Sequence, residues 1–232
     1  DHRDLHSFPT RRSSDLTHDI FDGYSINHHE AKDLIAQAVK EKKSENSLSL
    51  EIADMLAWID SWSKNEKWRI VVIPSNHNDW LDKWVRLQQG HKDIKNFELF
   101  IELQRVLFNE EAPRGLVAYL IDKYFSSDKV LTLGRHESFN RLGFELNNHG
   151  DLGSNGAKGT PNTFKKLNVK IVSGDKHFLY SLDGAHGVGI STHKDMGYNR
   201  GLSSWTKSHG VIHENGKFQH LIYVDGKFTN FF

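Results

Sequence analysis

The 232 residues are enough for one domain with a real core, and nothing in the composition asks for two. With 30 Lys and Arg against 30 Asp and Glu, a nucleic-acid partner would need a local basic patch or metal rather than a global field. Zero cysteines exclude disulfides and thiolate metal sites and fit a reducing compartment, and no apolar run approaches the roughly 20 residues that span a bilayer.

Asp1 to Leu16 (DHRDLHSFPTRRSSDL) resembles, residue for residue, the translated reading frame of a common sequencing-library adapter. Native sequence is therefore expected from about Thr17, cut inside a longer gene, with one domain over 17–232. Asp19 to Tyr24 reads as a strand exit, leading into a helix from about His28 to Lys43 on which Ala31, Leu34, Ile35 and Val39 keep one face. A second helix is predicted from about Ser49 to Lys64, with Ile52, Leu56, Ala57 and Ile59 inward. Trp68 to Pro74 (WRIVVIP) is a short β-branched run and reads as a buried strand. His77 to Leu87, Lys92 to Phe108 and Leu116 to Phe125 read as helices, making the middle of the chain a helical insertion. Val130 to Leu133 and Phe144 to Leu146 are strand candidates. Thr160-Pro161 opens a helix, because the hydroxyl caps free N–H groups and proline sits where its missing donor costs nothing. Val169 to Ser173 is another buried strand. The tail is all β, with Asn215-Gly216 and Asp225-Gly226 as two-residue hairpin turns.

Four polar clusters follow in order: His18-Asp19, Asn76-His77, His149 and Asp175-Lys176-His177. The last three each follow an apolar run. Strand-end loops are where an α/β scaffold converges polar groups, so such clusters can meet around a metal pair. Phosphodiester hydrolysis by two divalent cations needs a bridging carboxylate, neutral imidazoles, an amide oxygen and one unligated acid for the leaving group. Each residue type is present. Glycines beside the clusters (Gly150, Gly153, Gly156, Gly159 and Gly174) are expected to let backbone approach a ligand closely.

Blander roles are assigned alongside. Asp22 reads as a helix N-cap, and His28-His29-Glu30 as a solvated first helical turn. Trp62, Trp68 and Trp80 read as core packing rather than a base-stacking platform. His136, His186, His193, His209, His213 and His220 carry no comparable pattern and read as surface or structural.

The ordered clusters resemble the calcineurin-like metallophosphoesterase superfamily, whose signature runs Asp-x-His, Gly-Asp, Gly-Asn-His-Asp/Glu, His, then Gly-His-x-His. Asn148 to Gly159 and Tyr198 to Trp205 look most like tailed-phage members, including a phage DNase. The resemblance implies an α/β fold: a two-sheet β-sandwich flanked by helices, with the helical insertion and a C-terminal β-hairpin region, here lacking its first strand. It implies Asp19 as the metal-bridging aspartate, Asn76, His149 and Asp175 on the second metal, and His177 on the first. His77 is then the unligated histidine that protonates the leaving oxygen, with Asp79 available to orient it. Arg141, Lys158 and Arg200 are candidate phosphate contacts because they lie beside matched motifs.

Five departures qualify the match, one being His18 in place of the glycine before Asp19, which has no explanation in the sequence. Ser75 replaces the glycine before Asn76, which is tolerable if the turn needs no positive φ. Asn78 stands where an acid is usual, and Asp175 stands for a histidine, a harder ligand that favours Mn²⁺ or Mg²⁺ over Zn²⁺. No Asp-x-His precedes Asp19 in the expected native sequence; Asp4-Leu5-His6 matches literally but lies in the adapter-like segment. The expectation is a two-cation phosphoester hydrolase with a nearly complete second metal site and a weak first site, leaving this chain impaired. A metal-activated hydroxide would attack DNA or another phosphoester. A phosphomonoesterase acting on nucleotides or phosphoproteins, or a non-catalytic scaffold of the same fold, are the alternatives. The expected setting is cytoplasmic, in an infected bacterial host, with no membrane partner.

Overall fold

The structure is a computed structural model that describes residues 13–27, 30, 33–192, 201–224 and 227–230. It is a mixed α/β protein whose chain divides into two compact units, 1–135 and 136–232, where the sequence reading has a single domain. Among the described residues no sheet closes into a barrel, and no helix is long and apolar enough to cross a membrane.

The first unit is built on a parallel sheet in the order β1-β2-β3: Ser13–Thr17, Trp68–Val72 and Val130–Thr132. β2 is buried from Arg69 onward, as a central strand covered on both faces must be. β1 pairs residue by residue with β2, from Ser13 against Trp68 to Thr17 against Val72, so four residues of the adapter-like segment belong to the sheet. Five helices accompany it: α1 (Leu34–Lys43), α2 (Leu48–Ser63), α3 (Asn78–Arg86), α4 (Phe97–Phe108) and α5 (Leu116–Tyr124). Phe21, Leu48, Ile59, Ile70, Leu81, Leu116 and Ile121 are fully buried in their common core. Buried Asn96 ties two helix starts together, accepting from the Leu48 N–H at 2.8 Å and donating to the Asn46 carbonyl at 3.0 Å.

α1 reverses its expected orientation. Leu34, Ile35 and Val39 do share a side, but it faces solvent, with Leu34 82% exposed; Ala31 lies outside the described residues. Lys40 is buried instead. Its ammonium donates to the Tyr24 carbonyl at 2.6 Å, pairs with Glu30 at 2.6 Å and lies 3.9 Å over the Tyr24 ring. A lysine with that set of partners can lie on the core side of an amphipathic helix, which periodicity alone does not foresee.

The second unit holds a five-stranded mixed sheet in the order β4-β5-β6-β8-β7: Asn140–Arg141, Phe144–Glu145, Lys170–Ser173, Ala185–Gly187 and Tyr180–Leu182. A short helix, α6 (Pro161–Phe164), starts with a capping box in which Thr160 and Thr163 satisfy each other's backbone donors. A separate antiparallel meander joins β9 (Ser208–Ile212), β10 (Phe218–Val224) and β11 (Lys227–Asn230). The Asn215-Gly216 turn closes the first hairpin, with Gly216 at φ 74°. Asp225-Gly226 lies outside the described residues. The meander's inner face packs on the five-stranded sheet, where Phe218 stacks on His186 at 4.2 Å and meets Phe144 at 6.2 Å.

Candidate functional site

In the first unit the chain leaves β1 through Asp19, whose φ is 50°. A non-glycine residue held in the left-handed region stores strain of the kind that clusters at functional sites. The following loop turns at Gly23 into a 3-10 turn, Tyr24–Ile26, and α2 clamps it. Glu51 accepts from the Tyr24 N–H at 2.9 Å, the Ser25 N–H at 3.0 Å and the Ser25 hydroxyl at 2.5 Å. That clamp fixes Asp22. The residue caps no helix; instead its carbonyl accepts from His77 Nδ1–H at 2.8 Å while its carboxylate lies 3.4 Å from the same nitrogen. His77 also stacks on Trp80 with ring centroids 4.2 Å apart. Burial pushes the His77 pKa down, but its hydrogen bonds to Asp22 and the negative charge of Asp19 outweigh it, so the net shift is upward. With Nδ1 donating, Nε2 is the position from which this ring can exchange a proton.

The turn before α3 works without glycine. Ser75 is fully buried and is not among the positive-φ residues. Its hydroxyl accepts the Asn78 N–H at 3.2 Å and lies 3.0 Å from Asn78 Oδ1, so serine and asparagine lock the helix entry. Asn76, half-buried, sits between them. Asp79 does not orient His77. It is held bidentately by Arg135, with Nη2 to Oδ2 at 2.8 Å and Nε to Oδ1 at 3.3 Å. The reason is helical geometry: residues two apart at a helix start point in different directions.

In the second unit the loop after β5 and the loop after β6 are joined through one carbonyl. His149 O accepts from the Gly174 N–H at 2.9 Å and the Asp175 N–H at 3.0 Å. The His149 residue is 2% exposed, and its Nε2 lies 3.5 Å from Asp175 Oδ1; the other oxygen of Asp175 is 2.5 Å from the Lys176 ammonium. Burial raises the Asp175 pKa, yet the bonds and charges of His149 and Lys176 win and hold the carboxyl far below the usual range. Beneath it, Ser173 Oγ and the Tyr180 hydroxyl are 2.6 Å apart, and burial pushes Tyr180 up to about 12. His177 has φ 59°, a second candidate ligand in the left-handed region. Its ring meets the Trp205 ring edge-on at 4.4 Å, and its carbonyl accepts from the Thr206 N–H at 3.0 Å.

The structure thus brings His77 under the charge of Asp19, and His149 against Asp175, each within its own unit. Among the described residues, no three His, Asp or Glu side chains are grouped to hold a metal ion. Asp175 and His149 nonetheless make a donor pair suited to a hard cation: an ionised oxygen facing a buried imidazole nitrogen. Lys176 competes for the second oxygen. Arg141 lies over the Phe139 ring at 4.6 Å and donates to the Asn140 carbonyl; Lys158 is exposed beside the Leu152 bridge; Arg200 lies outside the described residues. The close glycine approach serves the chain itself, since a Cβ on Gly159 would stand 2.0 Å from the Gly150 carbonyl oxygen. Asp22, Arg135 and the Trp80 and Trp205 contacts escaped the sequence reading. Asp22 and His77 are 55 residues apart, and no local pattern links them.

No protein-family description matches the chain, and no solved structure matches it. It is 28% identical over 220 residues to Protein A1 of Escherichia phage T5, an alignment covering 92% of this chain and 39% of that protein. The chain spans about two-fifths of the length of the curated relative it matches, and the likeness points to a phage relationship.

Proposed function

We propose that the chain is a divalent-metal-dependent phosphoester hydrolase with the metallophosphoesterase type of sandwich fold, acting on DNA in the cytoplasm of an infected bacterium. The observation that carries this reading is the buried His149 ring 3.5 Å from an Asp175 carboxylate held ionised at a strand end. Within the second unit His149, Asp175 and His177 are the proposed ligands, and within the first Asp19 and Asn76; Mn²⁺ or Mg²⁺ suits such oxygen donors. Bound cations would supply an activated water and neutralise phosphoryl charge. His77, its tautomer set by the Asp22 carbonyl, would give the leaving oxygen a proton from Nε2. The left-handed backbone at Asp19 in the first unit and at His177 in the second supports loops kept under strain for use.

The test uses plasmid DNA, bis(p-nitrophenyl) phosphate and a mononucleotide, each with Mn²⁺ and with EDTA. Manganese-dependent cleavage of the diesters supports the proposal. Turnover of the monoester alone removes the nuclease reading, and no turnover of any substrate removes the enzyme reading. One observation favours the non-catalytic scaffold as a second reading: the Lys176 ammonium already neutralises Asp175 where a cation would bind. If that contact keeps cations out, the parent binds no Mn²⁺ and Lys176→Met uncovers binding.

A further inference from the structure

The outer face of the C-terminal meander does nothing for the core. Its register sets Tyr223 opposite Phe228 and Leu221 opposite His209, so these four side chains share one face. Phe218 and His220 point the other way, into the packing against the five-stranded sheet. On the outer face Tyr223 is 40% exposed and Phe228 55% exposed, with their rings 5.2 Å apart. The His209 ring stands 5.6 Å from Phe228, and the Lys207 ammonium lies 5.9 Å over Tyr223. The backbone extends the ladder to include that lysine, because the Tyr223 N–H donates to the Lys207 carbonyl at 2.8 Å. None of the described residues that the register puts on this face is acidic.

We propose that this face binds single-stranded nucleic acid, with two successive bases laid on Tyr223 and Phe228 and the flanking phosphates met by Lys207 and His209. Exposed rings on an open antiparallel sheet offer flat apolar area to any base, and only an unpaired strand has free base faces to lay there. The Lys207 ammonium over the Tyr223 ring supplies the complementary charge, and the His209 ring beside Phe228 offers a polar N–H. An apolar partner protein would gain from the rings but not from the Lys207 ammonium, and that charge therefore selects the nucleic acid. The inference rests on the phosphodiesterase reading for its purpose, since such a surface would hold a strand for cleavage; its binding test needs no metal.

The experiment is fluorescence polarisation of the full chain with a labelled oligothymidylate in EDTA, against a duplex of the same length. The expected result is salt-dependent binding that favours the single strand. Tyr223→Leu and Phe228→Leu, which keep an apolar side chain on the sheet but remove the ring, each weaken it about ten-fold. Lys207→Gln lowers the salt slope by about one. Leucine variants that bind as the parent does, equal preference for duplex, or no binding by the parent would overturn the proposal. So would a concentration-dependent dimer that only the leucine variants abolish, because the rings would then serve a protein contact. Manganese-dependent turnover of bis(p-nitrophenyl) phosphate is read on the same samples. Turnover without ring-dependent strand binding overturns the surface alone, whereas ring-dependent binding without turnover overturns the hydrolase and leaves the surface standing.

Discussion

His77 and His149 both follow short apolar strands, yet the two loops treat an imidazole in opposite ways. His77 keeps part of its ring accessible, donates from Nδ1 to a backbone carbonyl, and has its pKa raised by Asp22 and Asp19. His149 is sealed from solvent with Nε2 aimed at a carboxylate held ionised. The first arrangement favours a ring that holds and releases a proton; the second fixes a buried ring against a carboxylate. Their difference comes from neighbours, since a strand-end loop carries each.

Substitutions can break that contrast at either end, beginning with the largest effect. His77→Ala should slow diester turnover roughly 10²–10⁴-fold, measured as kcat with Mn²⁺, while leaving manganese affinity in place. Asp175→Asn should cost about 1–3 kcal/mol in a urea melt, because it withdraws the charge that faces His149 and Lys176. The parent's own acid sensitivity has a defined sign. A carboxyl depressed in the folded state contributes fully above the ordinary carboxylate value of about 4 and loses that contribution as pH falls through its lower folded value. Asp175→Asn should therefore flatten the stability profile on the acid side.

Glu51→Ala tests whether the loop clamp matters to the first histidine. It removes three hydrogen bonds to residues 24 and 25, and a loss of about 1–3 kcal/mol is expected, with the His77 pKa falling in an NMR titration. Asp22→Asn should have the smallest effect, moving that pKa down while stability barely changes. The raised imidazole contributes stability fully below about 6.5, its ordinary value, and loses it as pH rises through the folded value; the asparagine variant should show a shallower slope. His149 resonances should stay unmoved in both variants.

The sequence already pointed to the strands that carry these loops. The Trp68–Val72, Val130–Thr132 and Lys170–Ser173 strands are dense in apolar residues and bounded by polar turns, and α2, α4 and α5 follow their apolar spacing. What failed depends on long-range partners. Periodicity identified one apolar side on α1 but not its direction, which Lys40 settles by reaching Tyr24 and Glu30. Asp22 looked like a cap because a short acid before a helical run usually is one; its real role needs His77, far along the chain. Asp79 looked adjacent to His77 in sequence, and helix geometry turned it to Arg135. Lys176 stood inside a recognised cluster, but only the fold shows its ammonium on Asp175.

The claim that one histidine ligates and the other handles protons is most directly tested by calorimetric titration of Mn²⁺ into the full chain and its His149→Ala and His77→Ala variants. The account predicts one strong equivalent for the parent, retained by His77→Ala and lost by His149→Ala. No manganese binding by the parent, or binding that His149→Ala leaves unchanged, would contradict it.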